Sequence, residues 1–220
     1  MCQHGMVSLN HISRVPHVAL AVLAVLVTAP SVSGVAQADP CPAVEVAFAR
    51  GTGQPPGVGN VGQAFIDSLK GQAHGLSVGV YAVNYPANPA FAASARNGAD
   101  DLTAHVQDVI GRCPDTRLVL GGYSQGAGVI DMATQTMPPE VADHVAAIAL
   151  FGNPTSQFAR AITGSAFAPI GPPYNAKTTD VCADGDPTCS GGGNFGAHGS
   201  YVASGLAAQA ATFAASHLQA

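Results

Sequence analysis

Ser124 stands in the run Gly122-Tyr123-Ser124-Gln125-Gly126, preceded by the apolar stretch Leu118-Val119-Leu120. Gly-x-Ser-x-Gly between a buried strand and a helix is the sequence form of a sharp turn that lifts a serine hydroxyl above a sheet. A serine there has φ above zero. Residues two positions away on either side then come so close that side chains would collide, which accounts for glycine at 122 and 126. A hydroxyl is a weak nucleophile at neutral pH and needs a base within hydrogen-bonding reach, usually a histidine oriented by a carboxylate. The pentapeptide alone is weak evidence in a chain with 26 glycines, since a glycine-rich strand-to-helix turn reads the same way.

Where such an elbow is used, the chain order is serine, acid, histidine. Only His198 and His217 follow Ser124 with an acid before them. His217 ends an alanine-rich helical segment and reads as solvated, whereas His198 follows a glycine-rich loop that can present it to a cleft. His74, His105 and His144 read as solvated helix residues under the same order rule. Asp131, Asp143, Asp180, Asp184 and Asp186 are the candidate acids. The first two fall on helical segments and read as surface charges, and the residues leave Asp184 and Asp186 undecided. Two N–H groups must face the oxyanion that attack on a carbonyl would generate. Gln125 supplies one by position, and the Gly51-Thr52 turn is placed for the second, with the Thr52 hydroxyl as a further donor. A plain turn residue is the competing reading of Thr52.

The elements that must position these groups alternate. Largely apolar runs at 43–49, 77–83, 117–120 and 145–151 predict strands, and a last short strand is expected at 177–181. Val61, Phe65 and Leu69, with Ile66, predict a helix over 60–72, and Leu102, Val106, Val109 and Ile110 mark one over 91–112. Another begins at Gln125, and Tyr201, Leu206, Ala210, Phe213 and Leu218 mark the last. Residues 153–173 read as a loop with at most one short helix, and 182–198 as a glycine-rich loop whose Gly191-Gly192-Gly193 suggests mobility. Alternation of this kind implies a five-stranded, mainly parallel sheet covered on both faces, within one domain over 39–220.

Residues 1–38 do not belong to that domain. Arg14, the apolar run 18–27 and Ala36-Gln37-Ala38 have the three-part layout of a secretory signal peptide cleaved after Ala38. The apolar run is short for a membrane span, which needs about 20 residues, so no span is expected after cleavage. Without the leader, 7 basic side chains face 13 acidic ones, a net charge of −6 that argues against nucleic acid as a partner. Cys41, Cys113, Cys182 and Cys189 then remain, enough for two disulfides with three possible connectivities. No closely spaced cysteine or histidine pair supports zinc.

The ordered set Ala49-Arg50-Gly51-Thr52, Cys113-Pro114, Gly121-Gly122-Tyr123-Ser124-Gln125-Gly126, Cys182-Ala183-Asp184-Gly185-Asp186-Pro187-Thr188-Cys189 and Ala197-His198-Gly199-Ser200-Tyr201 resembles the cutinase family, in particular its cutinase-like esterases of actinobacterial type. The resemblance covers nearly all of 39–220. It implies an α/β-hydrolase-like three-layer sandwich without a large lid. It also implies a monomeric secreted serine esterase needing no metal or organic cofactor, with Ser124, Asp186 and His198 as catalytic residues and Thr52 and Gln125 as the oxyanion hole. The implied disulfides are Cys41–Cys113 and Cys182–Cys189, worth on the order of 4.4 and 2.5 kcal/mol by loop entropy. Esters of polyester or lipid type are the implied substrates. Acetylxylan esterase, acyltransferase and a non-catalytic wall-binding protein are the competing readings. Phe91 and Phe195 stand where they would line an acyl groove or fill the core, the commoner fate of phenylalanine.

Overall fold

The computed structural model describes residues 41–219, and the expected export signal lies outside the described residues. Strands β1 (Val44–Ala49), β2 (Val78–Ala82), β3 (Arg117–Tyr123), β4 (Val145–Phe151) and β5 (Thr178–Val181) form one sheet in the order β2-β1-β3-β4-β5. All four pairings are parallel. The strands alternate with α1 (Gly59–Gln72), α2 (Phe91–Arg112) and α3 (Gln125–Thr136), and α4 (Val141–His144) leads into β4. Between β4 and β5 come α5 (Gln157–Thr163) and a 3₁₀ turn (Pro172–Lys177), so no large lid is inserted there. The short α6 (Phe195–His198) and α7 (Leu206–His217) complete the chain.

Central strands of a parallel sheet lose water on both faces, which is why their sequences are apolar throughout rather than alternating. Val44, Val46, Phe48, Val119 and Phe151 point to the face covered by α1 and α7, while Ala47, Leu118, Leu120, Ile148 and Leu150 meet α2 and α3. Phe48 is fully buried, and its ring lies where two glycines leave room. A Cβ on Gly62 would stand 2.6 Å from it and one on Gly121 2.5 Å. Burying a side chain of this size contributes roughly 1.5–3 kcal/mol. Gly121 is therefore fixed by packing behind the elbow.

Both disulfides have the expected pairing. Cys41–Cys113 ties the entrance of β1 to the end of α2, at the N-terminal edge of the sheet. Cys182–Cys189 closes the loop after β5, at the opposite edge. No helix among the described residues is long and apolar enough to cross a membrane.

Several expectations are corrected. Asp131 is a buried residue, 1 % exposed, because its position on α3 faces the end of β4 and not solvent. His105 lies against the sheet, its ring stacked on Tyr81 at 3.4 Å and its Nε2 2.5 Å from Glu45 Oε1. His74 sits in the turn after α1 rather than on the helix. Tyr201 precedes α7, which begins at Leu206, and its ring is fully buried.

Candidate active site

β3 ends at Tyr123 and α3 starts at Gln125, leaving Ser124 at φ 55° and ψ −119° between them. That strained conformation is held from three sides. The Ser124 N–H donates to the Phe151 carbonyl of β4 (2.8 Å). A Cβ on Gly122 would stand 2.2 Å from the Gly126 carbonyl oxygen, and one on Gly126 2.0 Å from that of Ala49. The two glycines thus let α3 start directly over the ends of β3 and β1, which projects the Ser124 hydroxyl from the C-terminal edge of the sheet.

His198, at the end of α6, places Nε2 3.0 Å from Ser124 Oγ and Nδ1 2.8 Å from Asp186 Oδ2. Gly152, at φ 57°, leaves the space for the ring, since a Cβ there would lie 2.9 Å from His198 Cε1. Tyr123 stacks on the ring at 5.1 Å and donates its hydroxyl to the His198 carbonyl (2.6 Å). Asp186 is fully buried, whereas Asp184 is exposed, because the chain turns at Gly185 with φ 81°. Burial alone would raise the Asp186 pKa. Hydrogen bonds from the Tyr201 hydroxyl (2.6 Å), the His198 ring and the Thr188 N–H (2.8 Å) outweigh it and hold the carboxyl below its ordinary range. Burial, and then the hydrogen bond to Asp186, push the Tyr201 phenol well above its usual range. Its hydroxyl donates to Asp186 Oδ2.

Thr52 and Gln125 meet Ser124 at one cleft. Among the described residues, no acceptor is bonded to the N–H of either or to the Thr52 hydroxyl. The Thr52 turn is braced by the buried Arg50, whose guanidinium donates to the carbonyls of Gln54 (2.9 Å) and Tyr85 (2.7 Å). The buried Gln125 amide donates to the Asn88 carbonyl (2.9 Å) and accepts from Ser94 Oγ (3.3 Å), fixing the elbow to the start of α2.

The cleft has a volume of about 220 Å³. Ser124 and His198 stand at one wall, and Phe158, Ile162, Phe167, Phe91 and Phe195 supply most of the apolar lining. Phe91 and Phe195 are not core residues. Phe195 is 66 % exposed at the rim, where its ring meets that of Phe158 edge-on at 5.5 Å and so links α6 to α5. A wider hollow of about 510 Å³ lies around Cys41–Cys113, at the edge of the sheet away from Ser124.

The profile of the family described as Cutinase matches residues 40–218. The chain belongs to the cutinase family. Carboxylesterase Culp1 of Mycobacterium tuberculosis is 56 % identical to it, over 93 % of this chain and 95 % of the relative. Phospholipase Culp4 of the same organism is 47 % identical, over 89 % and 87 %. Among solved structures, a Trichoderma reesei cutinase in complex with a phosphonate inhibitor superposes with a TM-score of 0.69 at 34 % identity, covering 82 % of this chain and 78 % of that one. This cutinase-family chain is accordingly a carboxylic ester hydrolase.

Sequence reasoning brought Ser124, Asp186, His198, Thr52 and Gln125 to the place where the structure joins them. It missed Tyr201, Tyr123, Gly152 and the cleft wall of Phe158, Ile162 and Phe167. Tyr201 lies in the turn between α6 and α7, where no helical spacing points to it. Phe158 and Ile162 carried no signal, because α5 is too short to show a period, and Phe167 lies in the loop beyond it.

Proposed function

We propose that this chain is a secreted serine esterase acting on short-to-medium acyl esters. Ser124 is the nucleophile, His198 the general base and Asp186 its orienting carboxylate, and the N–H groups of Thr52 and Gln125 form the oxyanion hole. The observation that carries the reading is the unbroken hydrogen-bonded chain from buried Asp186 through His198 to Ser124 Oγ, opening onto an apolar cleft. His198 Nε2 takes the hydroxyl proton as Oγ bonds to the ester carbonyl carbon, and the carbonyl oxygen becomes an anion beside the two N–H groups. Collapse breaks the bond to the alkoxy group, which leaves with the proton from Nε2. Water then repeats the sequence on the acyl-enzyme, its proton passing through Nε2 back to Ser124. Asp186 keeps Nδ1 protonated and offsets the imidazolium charge.

The apolar wall supports acyl groups larger than acetyl over an acetyl-specific esterase. Export is supported by the layout of residues 1–38 and by the two disulfides, which need an oxidising compartment. One experiment tests both parts: recovery of the protein from culture medium, N-terminal sequencing, and a panel of chromogenic esters from acetyl to long acyl beside Ser124→Ala. The expected outcome is a chain starting at Asp39, hydrolysis favouring short-to-medium acyl groups, and a loss of about 10⁴-fold or more in the variant. No hydrolysis by disulfide-bonded protein, or full activity in the variant, rejects the mechanism. Retention of residues 1–38 rejects export.

A further inference from the structure

Phe167, a wall residue of the cleft, occupies space that a side chain at Gly128 would fill. A Cβ on Gly128 would stand 2.4 Å from Phe167 Cδ1 and 2.5 Å from Cε1, so the ring packs against the bare α3 backbone at that position. Gly128 follows Ser124 by four residues, and its N–H is bonded to the Ser124 carbonyl (3.4 Å). At 1.5 Å per residue this places the ring about 6 Å along the helix from the nucleophile. Ala159, Ile162 and Thr163 of α5 supply the lining on another side. The cleft they share with Ser124 is partly open and has a volume of about 220 Å³.

We propose that Phe167, seated on Gly128, is the stop of the acyl cleft and sets the longest acyl chain that is accepted. The proposal rests on Ser124 being the acylated residue, because only then does distance from Ser124 measure chain length. An acyl carbonyl at Ser124 sends its chain along α3 until the ring blocks it. A methylene beyond the stop must stay in water or displace the ring, and in either case it adds nothing to transition-state binding.

The test is kcat/KM over a chromogenic ester series from acetyl to dodecanoyl in wild type, Phe167→Ala and Gly128→Ala. In Phe167→Ala the chain length at which kcat/KM stops rising is expected to lengthen by two or more carbons, with about a fourfold gain for each methylene newly buried. The decanoyl-to-butanoyl ratio then rises tenfold or more. Gly128→Ala lifts the ring off the helix into the cleft, and the same ratio falls. If Phe167→Ala does not fold, Phe167→Leu is expected to move the limit the same way by a smaller step. An unchanged chain-length limit in folded protein of both cleft variants overturns the proposal and leaves the esterase mechanism standing. That mechanism fails separately, if wild type and Ser124→Ala hydrolyse the acetyl ester alike.

Discussion

Two aspartates lie buried behind the elbow, on opposite sides of β4, and the protein treats them in opposite ways. Asp186 receives three hydrogen bonds, from a phenol, an imidazole and a backbone N–H, and is held ionised. Asp131 receives one side-chain hydrogen bond, from Asn153 Nδ2 (3.0 Å), and shares even that donor with Asp180 (3.1 Å). Its Oδ1 and the Asn153 Oδ1 are buried with no partner among the described residues. Burial pushes the Asp131 pKa up to about 7, against the lowering effect of the Asn153 hydrogen bond and with a smaller upward push from the Asp180 charge. Both side chains are buried, and three donors on Asp186 against one on Asp131 favour the charged form at Asp186. A negative charge is well supported where it meets His198 and poorly supported on α3.

The largest expected effect tests the first half of this contrast. Asp186→Asn removes the charge and favours the wrong imidazole tautomer, and kcat is expected to fall about 10⁴-fold at neutral pH with little change in KM. Asp131→Asn, assayed beside it, should lose less than threefold. Comparable losses in both would mean that the two acids are not functionally distinct, and the comparison would break.

Next in size is a stability effect with a defined sign. Asp131 titrates near pH 7 when folded and near 3.9 when unfolded. Between those values the native state binds more protons, so stability falls as pH rises from about 4 to about 7 and stays low above. The full penalty is on the order of a few kcal/mol. Asp131→Asn stays neutral and escapes it. In urea unfolding the variant should match wild type near pH 3.5 and exceed it by a few kcal/mol at pH 8. A constant difference across that range would remove Asp131 as the source.

The same contrast shows what the sequence carries and what it does not. Strands and helices were legible because buried parallel strands are apolar throughout and α1 and α2 repeat every three to four residues. The elbow was legible because close backbone approach forces glycine at 122 and 126. The choice of Asp186 over Asp184 came from family resemblance, since only the turn at Gly185 and the position of Tyr201 distinguish them physically. Asp131 looked like a surface charge because helical periodicity says which face a residue occupies, not that the end of β4 covers that face. The cleft wall stayed hidden for a related reason. Phe158 and Ile162 sit on two turns of helix, and Phe167 is held in place by the absence of a side chain at Gly128.

The smallest effect sharpens the comparison most, because it subtracts one donor from the well-supported aspartate. Tyr201→Phe keeps the ring that packs against Phe151 and Tyr123 and removes only the hydroxyl. The Ala183 N–H also loses its acceptor, so some stability is lost at every pH. A hydrogen bond to a charged group is worth roughly 1.5–3 kcal/mol, and the expected fall in kcat is about tenfold as Asp186 supports the imidazolium less well. The distinguishing readout is stability on the acid side. In wild type the depressed Asp186 pKa gives stability that is present above about pH 4 and lost as pH falls through the folded value. With one donor gone that pKa rises, the gap to the unfolded value narrows, and unfolding free energy should change less between pH 5 and pH 3 than in wild type. An unchanged acid slope would assign Tyr201 to packing alone and leave His198 and Thr188 as the groups that keep Asp186 charged.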